Sequence, residues 1–228
     1  MKRAVIIVAG GKGLRMGGDL PKQFIPLQGK PVLMHTLEVF HRWDSSARLV
    51  LVIPDDHQPY WEILCRELNC KVPHRIVTGG EMRFHSVQNG LREVADCDFI
   101  GVHDGVRPFV TPEVIETCFR VAEEKGAVIP VVPHIDTIRE VTGEQNRSAD
   151  RSYFRIVQTP QVFRRDWLFE AYKQPWQSSF TDDATVVESF GKSICLIEGN
   201  LENIKITTPI DLLCAKLLME NEVWKPDN

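Results

Sequence analysis

The sequence contains 228 residues and has a formal net charge of −4 at pH 7, with 43% hydrophobic and 25% charged residues. A chain of this length can bury the core of one large domain, and this composition excludes a disordered or largely membrane-embedded protein. Because the net charge is negative, a nucleic-acid partner is not expected, and a small anionic ligand held by local cations is favoured. We therefore expect one domain over residues 1–228.

The N-terminal segment is predicted to be a buried strand rather than a targeting signal. Residues 4–9 are apolar, but this run is too short for the core of a signal peptide or for a membrane span. The six cysteines form no Cys-x-x-Cys pair and are interpreted as buried or inert thiols. These features favour a reduced, cytoplasmic protein that has no membrane partner.

Short apolar runs alternate with helical patterns along the chain. The runs predicted as strands are residues 4–9, 49–53, 75–77, 99–102 and 128–132. Strands that are apolar throughout are typical of a sheet covered on both faces. The alternation therefore predicts an α/β fold, a Rossmann-like three-layer sandwich with a mixed, mostly parallel sheet.

Three helices are predicted from apolar residues at the 3.6-residue period. One begins at Pro112 behind the N-cap Thr111, as is typical of helix starts. A second carries an apolar face formed by Phe84, Val87, Leu91 and Val94. The last begins at Pro209 behind Thr208, and its buried stripe is expected to comprise Ile210, Leu213, Cys214, Leu217 and Leu218.

The alternation is interrupted at about residues 134–156. An apolar pattern that includes Ile135 and Val141 is followed by a polar turn at residues 142–148, which predicts a projecting β-hairpin arm. A hairpin cannot bury a face alone, so this arm either packs on its own sheet or reaches a partner subunit.

The glycine-rich loop at residues 8–24 fits neither of two familiar phosphate-binding motifs. No glycine precedes a Gly-Lys-Ser/Thr triplet at Walker A spacing. A dinucleotide fingerprint is disfavoured because Met16 occupies the position of its third glycine. A solvated loop without a function remains an alternative on glycine content alone.

The same loop also has the composition of an anion-binding site. Gly10, Gly11 and Gly13 let backbone N–H groups approach phosphate oxygens closely. Arg15 can bind phosphate through two parallel hydrogen bonds, and Lys22 supplies a compact charge.

Six segments in this order resemble the 2-C-methyl-D-erythritol 4-phosphate cytidylyltransferases, and more broadly nucleotidyltransferases of the sugar-nucleotide pyrophosphorylase type. The segments are Ala9-Gly-Gly-Lys-Gly-Leu-Arg-Met16, Pro21-Lys-Gln-Phe24, Gly79-Gly80, His103-Asp-Gly-Val-Arg-Pro108, Thr159-Pro-Gln161 and Asn203-Ile-Lys-Ile-Thr207. The resemblance implies transfer of CMP from CTP to methylerythritol phosphate, with release of pyrophosphate, in non-mevalonate isoprenoid synthesis. It also implies magnesium, held mainly by the CTP phosphates, and a homodimer formed through the arm.

The resemblance assigns roles to individual residues. The implied catalytic residues are Arg15, Lys22, Arg151 and Lys205. The implied nucleotide-binding residues are Ala9, Gly10, Gly11, Gly13, Gly80, Glu81, Ser86, Asp104 and Gly105. The implied acceptor-binding residues are Arg107, Thr137, Arg151 and Lys205, with Thr137 and Arg151 acting from the arm of the second subunit.

Less specific interpretations of these residues stay open at this point. Ser86 could be an ordinary helix-surface serine, and Asp104 and Arg107 could form an ion pair that only shapes their loop. Lys205, predicted on a short strand whose isoleucines face the opposite way, could be merely solvated. The histidines are interpreted as structural or surface residues. A ribitol 5-phosphate cytidylyltransferase and a non-catalytic nucleotide-binding protein are the alternative functions.

Overall fold

The computed structural model describes residues 1–10 and 20–220. Its strands are β1 (Arg3–Val8), β2 (Pro26–Leu27), β3 (Lys30–Pro31), β4 (Arg48–Ile53), β5 (Arg75–Thr78), β6 (Phe99–Asp104), β7 (Ala127–Pro133), β8 (Ile138–Thr142), β9 (Gln145–Ala149), β10 (Arg155–Val157), β11 (Gln161–Arg164) and β12 (Cys195–Glu198). Its α-helices are α1 (Val32–Trp43), α2 (Gln58–Glu67), α3 (Arg83–Leu91), α4 (Pro112–Lys125), α5 (Arg165–Ala171), α6 (Asp183–Ser189) and α7 (Pro209–Glu220). The five predicted strands are confirmed.

The central sheet is mixed and mostly parallel, as predicted. Its strand order is β10-β7-β11-β6-β1-β4-β5, and β12 pairs with β7. Strands β6, β1, β4 and β5 run parallel, whereas β11 is antiparallel to both β6 and β7. In the β1–β6 register Val8 lies opposite Asp104, so these two strands end side by side at one edge of the sheet.

The apolar strands are covered on both faces by helices. In β1, the side chains of Val5 and Ile7 belong to one buried cluster, whereas those of Ala4 and Ile6 belong to another. This separation follows from the period of two in a strand. The first cluster includes residues of α1 and α4, and the second includes residues of α3, α5 and α6. The three-layer prediction is therefore confirmed.

The helix starts agree with the sequence, but the end of α3 differs. The Thr111 hydroxyl accepts the N–H of Val114, and Pro112 opens α4. At α7 the Thr208 hydroxyl accepts the N–H of Asp211 at 3.3 Å. Helix α3 ends at Leu91, so Val94 is buried in the turn that follows it.

The predicted buried stripe of α7 is wrong. Its residues Ile210, Leu213, Cys214 and Leu217 are exposed, and Leu218 is partly buried. The helix instead packs through Ala215, with Leu212 and Met219 partly buried beside it. The face of α7 that meets the core is therefore not the face that the apolar pattern favoured. The pattern was ambiguous, because apolar residues occur on more than one face of this helix.

The predicted hairpin arm is present. Among the described residues, strands β8 and β9 pair only with each other, with Ile138 opposite Ala149. Apolar side chains on and beside the arm are exposed, including Ile135 at 70% and Tyr153 at 84%. The arm thus leaves apolar surface uncovered in a single protomer.

Two chain-wide features concern membranes and thiols. None of the helices within residues 1–10 and 20–220 has both the length and the apolar character needed to cross a membrane. All six cysteines are free thiols, of which Cys97 and Cys118 are buried and Cys214 is exposed.

Candidate active site

A pocket lies at the carboxyl ends of β1 and β6, where open α/β sheets bind ligands. Its lining residues are Val8, Ala9, Gly10, Lys22, Gln23, Gly80, Glu81, Met82, Arg83, Ser86, Asp104, Val106 and Lys205. They come from segments that are far apart in the sequence. These segments meet here because the parallel strands bring the loops that follow them to one edge of the sheet.

One wall of the pocket is the turn from Gly80 to Ser86. The Ser86 Oγ accepts the Gly80 N–H at 3.0 Å and donates to the Met82 carbonyl at 3.1 Å. A Cβ on Gly80 would lie 2.4 Å from the Cβ of His85, so glycine is required for the chain to approach the start of α3. The hydroxyl has only one proton, and that proton is donated to Met82. In any further hydrogen bond Ser86 can therefore act only as an acceptor.

The facing wall is formed where β1 and β6 end together. The Gly105 N–H donates to the Val8 carbonyl at 2.9 Å, and a Cβ on Gly105 would lie 2.8 Å from the Cβ of Ala9. Glycine at this position therefore permits the close approach that places Ala9 and Gly10 beside Asp104. Gln23 supports this wall, since its Nε2 donates to the Ala9 carbonyl at 2.9 Å.

Asp104 is the anionic centre of the pocket. Its Oδ2 lies 3.0 Å from the Nζ of Lys205 and accepts a hydrogen bond of 3.0 Å from the Nε of Arg107. Burial alone would raise the pKa of Asp104, but the positive charges of Lys205, Arg83 and Arg107 hold that pKa well below its usual value. Asp104 is therefore a carboxylate at neutral pH.

His103 is fully buried behind Asp104 and has a defined tautomer. The Arg107 carbonyl can only accept a hydrogen bond, so the His103 Nε2 that lies 3.0 Å from it carries the proton of the neutral ring. The Nδ1 then accepts the Thr159 hydroxyl proton at 3.0 Å, and the Thr159 Oγ1 in turn accepts the Asp104 N–H at 3.1 Å. Burial lowers the pKa of His103 to about 4, which agrees with a neutral ring bonded at both nitrogens.

A second buried carboxylate lies beside the pocket. Asp183 is completely buried, and its Oδ2 accepts a 2.6 Å hydrogen bond from the Nη2 of Arg83. Its Oδ1 accepts a 2.5 Å hydrogen bond from the Tyr172 hydroxyl. This cluster joins the start of α3 to the start of α6.

The structure brings most of the predicted nucleotide-binding residues to this pocket. The predicted residues that line it are Ala9, Gly10, Lys22, Gly80, Glu81, Ser86, Asp104 and Lys205. Gly105 lies beneath it, and Arg107 lies behind Asp104, where its Nη1 donates to the Asn203 carbonyl at 2.7 Å. Gly11, Gly13 and Arg15 lie outside the described residues.

The arm residues are not in this pocket within one protomer. Thr137 is exposed, and Arg151 lines a separate cavity at the base of the arm with His134 and Arg155. The Nη1 of Arg151 donates to the Ile135 carbonyl. The prediction that both residues complete the site of a second subunit remains a prediction.

The predicted strand around Lys205 is wrong. The segment 203–207 has no strand pairing. It is held instead by the N–H of Ile206, which donates to the Val106 carbonyl at 3.0 Å, and by burial of the Ile206 side chain. Lys205 still points out of the core, since it is exposed and lines the pocket while the side chain of its neighbour Ile206 is buried.

Several residues of the site had no role assigned from sequence. Gln23, Met82, Arg83 and Val106 line the pocket, and Thr159 joins His103 to Asp104. Gln23 and Thr159 lie within segments that carried the family resemblance, which was an available signal. Nothing in the sequence indicated that Arg83 meets Asp183, a hundred residues away.

An open, mostly parallel sheet with glycine turns and cations at its carboxyl edge is typical of a nucleotide-binding α/β protein. The family model described as IspD, 2-C-methyl-D-erythritol 4-phosphate cytidylyltransferase, matches residues 3–221. The chain belongs to this family and is a cytidylyltransferase.

Relatives and solved structures agree with this family. The chain is 53% identical over 219 residues to the 2-C-methyl-D-erythritol 4-phosphate cytidylyltransferase of Phocaeicola vulgatus, covering 96% of this chain and 100% of the relative. It is 54% identical, with the same coverage, to that of Bacteroides thetaiotaomicron. The crystal structure of the Thermus thermophilus enzyme is similar, with a TM-score of 0.78 and 32% identity over 96% of this chain and 100% of that one.

Proposed function

We propose that this enzyme transfers the cytidylyl group of CTP to 2-C-methyl-D-erythritol 4-phosphate, in non-mevalonate isoprenoid precursor synthesis. The observation that carries the proposal is the single pocket that gathers Lys22, Lys205 and the Gly80–Ser86 turn around Asp104. In the reaction, an oxygen of the acceptor phosphate attacks the α-phosphorus of CTP. The bond from that phosphorus to the bridging oxygen breaks, and pyrophosphate leaves.

The reaction needs charge neutralisation rather than a general base. An acceptor phosphate oxygen is already ionised near neutral pH. The titratable groups at the centre of the pocket are suited to this requirement, because Asp104 is paired with Lys205 and Arg107, and both nitrogens of His103 are occupied. Lys22 and Lys205 line the pocket and are proposed to orient two anions that repel each other and to stabilise charge on the phosphoryl group. Arg15 is proposed to assist Lys22.

Ser86 is proposed to select cytosine. Its proton is directed to the Met82 carbonyl, and one lone pair accepts the Gly80 N–H. The remaining lone pair can accept a hydrogen bond from the amino group of cytosine, whereas the carbonyl of uracil at the same position has no hydrogen to donate. Gly10, Gly80 and Glu81 line the same pocket, and their backbone groups are proposed to pair with the rest of the base edge.

Magnesium is proposed to bind through the phosphate oxygens of CTP. Within residues 1–10 and 20–220 no group of three or more His, Cys, Asp or Glu side chains is placed to hold a metal ion, so the phosphates are the main ligands in this proposal. When bound, magnesium withdraws charge from the phosphoryl oxygens and from the leaving pyrophosphate. The protein residues orient the anions around it.

The arm is proposed to form a homodimer and to complete the acceptor site of the partner. The apolar side chains of Ile135, Val141 and Tyr153 are exposed in one protomer, and an exposed apolar patch of this kind marks an interaction surface. In the dimer Thr137 and Arg151 would reach the partner's acceptor pocket.

The free thiols suit the reducing cytoplasm that we propose as the location.

Substitution on the arm tests the dimer. Sedimentation equilibrium of wild type is expected to give a dimer, and Ile135→Asp is expected to shift the population toward monomer because it would bury a charge in the contact. Ile63→Asp, on an exposed position of α2, is the matched control and should remain dimeric. A wild-type monomer at assay concentrations would contradict the proposed dimer.

Turnover of the two substrates tests the proposed function itself. CTP, methylerythritol phosphate and magnesium are combined with the enzyme, and pyrophosphate release is followed together with the phosphorus NMR spectrum of the product. Release that requires all three components is expected. Binding of CTP without any release would show a non-catalytic nucleotide-binding protein.

A further inference from the structure

The cluster of Arg83, Asp183 and Tyr172 lies beside the pocket and holds a buried carboxylate by both of its oxygens. Asp183 is completely buried, so its charge requires a partner, and Arg83 supplies one. The Tyr172 hydroxyl binds the other carboxylate oxygen. Both oxygens of Asp183 are thus fixed by buried or half-buried donors, which fixes the carboxylate in one orientation.

Only one nitrogen of the Arg83 guanidinium takes part in this pairing. Within residues 1–10 and 20–220 its Nη2 donates to Asp183, and its Nε and Nη1 donate to no other group. The side chain is 29% exposed and lines the pocket. Burial works against its charge, but Asp183 and then Asp104 outweigh that effect and raise the pKa of Arg83, so the guanidinium is always charged.

We propose that Arg83 is a further substrate-binding residue, which binds a phosphate oxygen of CTP or of the acceptor, and that Asp183 and Tyr172 are positioning residues for it. The inference rests on the proposed cytidylyl transfer. A guanidinium held on one side by a carboxylate presents its remaining N–H groups in a fixed direction, which suits phosphate. Arg83 would therefore add a preoriented cation to Lys22 and Lys205 in a pocket that must accept two polyanions.

Substitution of Arg83 by lysine separates a binding role from a structural one. Lysine can keep the ion pair with Asp183, so a role limited to neutralising that carboxylate is preserved, but it lacks the second set of directed N–H groups. The dissociation constant of CTP is measured by calorimetry, and the KM of methylerythritol phosphate from initial rates. Arg83→Lys is expected to raise one of these constants about 10- to 100-fold, with little change in Tm.

The constant that rises, either the CTP dissociation constant or the KM of the acceptor, identifies the substrate whose phosphate Arg83 binds. A rise confined to the CTP dissociation constant assigns Arg83 to the nucleotide, and a rise confined to the KM of the acceptor assigns it to methylerythritol phosphate. Arg120→Lys, at an exposed arginine on α4, is the matched control and should change neither. Both constants unchanged in a folded Arg83→Lys enzyme would overturn the proposal.

Tyr172→Phe tests the proposed positioning role of Asp183 and Tyr172. It also provides a test of the proposal if Arg83→Lys does not fold. This variant leaves the ion pair intact and removes only the hydrogen bond to the Asp183 Oδ1. It is expected to raise the same constant by a smaller factor with kcat unchanged, and unchanged constants would contradict the positioning role. If wild type binds CTP but shows no turnover, the proposed function fails, while the CTP constants of the variants still test Arg83.

Discussion

The Nζ of Lys205 lies 3.0 Å from the Oδ2 of Asp104. This pair joins the end of β6 to the segment 203–207, which is also held by the hydrogen bond from the Ile206 N–H to the Val106 carbonyl and by that from Arg107 to the Asn203 carbonyl. The carboxylate thereby fixes the lysine at the rim of the pocket before any substrate is bound. In the proposed reaction this orientation lets Lys205 receive the acceptor phosphate without first being ordered.

Removal of the Lys205 charge is expected to impair the acceptor step. Lys205→Met should lower kcat/KM for methylerythritol phosphate about 10²- to 10³-fold, because it removes a cation that is proposed to act on the reacting phosphates. Lys216→Met, at an exposed lysine of α7, is the matched control. Initial-rate kinetics of both variants provide the measurement, and equal kcat/KM values for them would remove Lys205 from the catalytic residues.

Loss of the Ser86 hydroxyl is expected to weaken base selection. Ser86→Ala removes the proposed acceptor for the cytosine amino group, so the preference for CTP over UTP should fall about tenfold. Ser189→Ala, on the exposed end of α6, is the control. Competition between the two nucleotides measures the preference directly. If affinity falls equally for both nucleotides, Ser86 only holds the Gly80 turn.

Mixed dimers test whether the arm acts across the subunit interface of the proposed homodimer. Arg151→Ala is expected to abolish turnover with CTP affinity nearly intact, and Lys22→Ala is expected to be inactive as well. If the arm acts in trans, a dimer with one chain of each kind has one intact site. Equal mixing should then restore about one quarter of wild-type activity, since half of the dimers are mixed. No recovery after verified subunit exchange would place Arg151 in the site of its own chain, or outside any site.

Acidification is expected to destabilise the protein through His103. Burial lowers the pKa of its ring to about 4 from the ordinary value of 6.5. The unfolded chain therefore binds more protons than the folded chain between these values, and the free energy of unfolding falls as the pH drops through that window. The contribution of His103 approaches about 3 kcal/mol at its lower end.

The His103→Gln variant isolates this contribution. Burial also lowers the pKa values of His35 and His74, so wild type alone cannot assign the effect. Urea unfolding across the window should show a smaller pH-dependent loss in His103→Gln than in wild type. Parallel profiles for the two proteins would contradict a neutral His103 in the folded state.

Much of the fold follows from local sequence patterns. The apolar runs that became β1, β4 and β6 are buried on both faces, so their composition alone marks them as central strands. Strands β10, β11 and β12 have only three or four residues each, and their pairing depends on partners far along the chain. The exposed face of α7 was missed for a related reason, since an apolar stripe does not reveal which face of a helix meets the core.

The site was predictable where residues are contiguous and not where they meet in space. The Gly80 turn and the segment from Asp104 to Arg107 each carry their own pattern, and both lie at the sheet edge where ligands bind. The Arg83–Asp183 pair and the hydrogen bond at the His103 Nδ1 depend on tertiary contacts with α6 and with Thr159. No spacing in one sequence encodes such contacts.

The choice of acceptor is the sharpest test of the proposed transfer to methylerythritol phosphate. Initial rates of pyrophosphate release are measured with CTP and magnesium, with either methylerythritol phosphate or ribitol 5-phosphate as the second substrate. We expect a higher kcat/KM with methylerythritol phosphate. Faster release with ribitol 5-phosphate would contradict it and identify the chain as a cytidylyltransferase for the other acceptor.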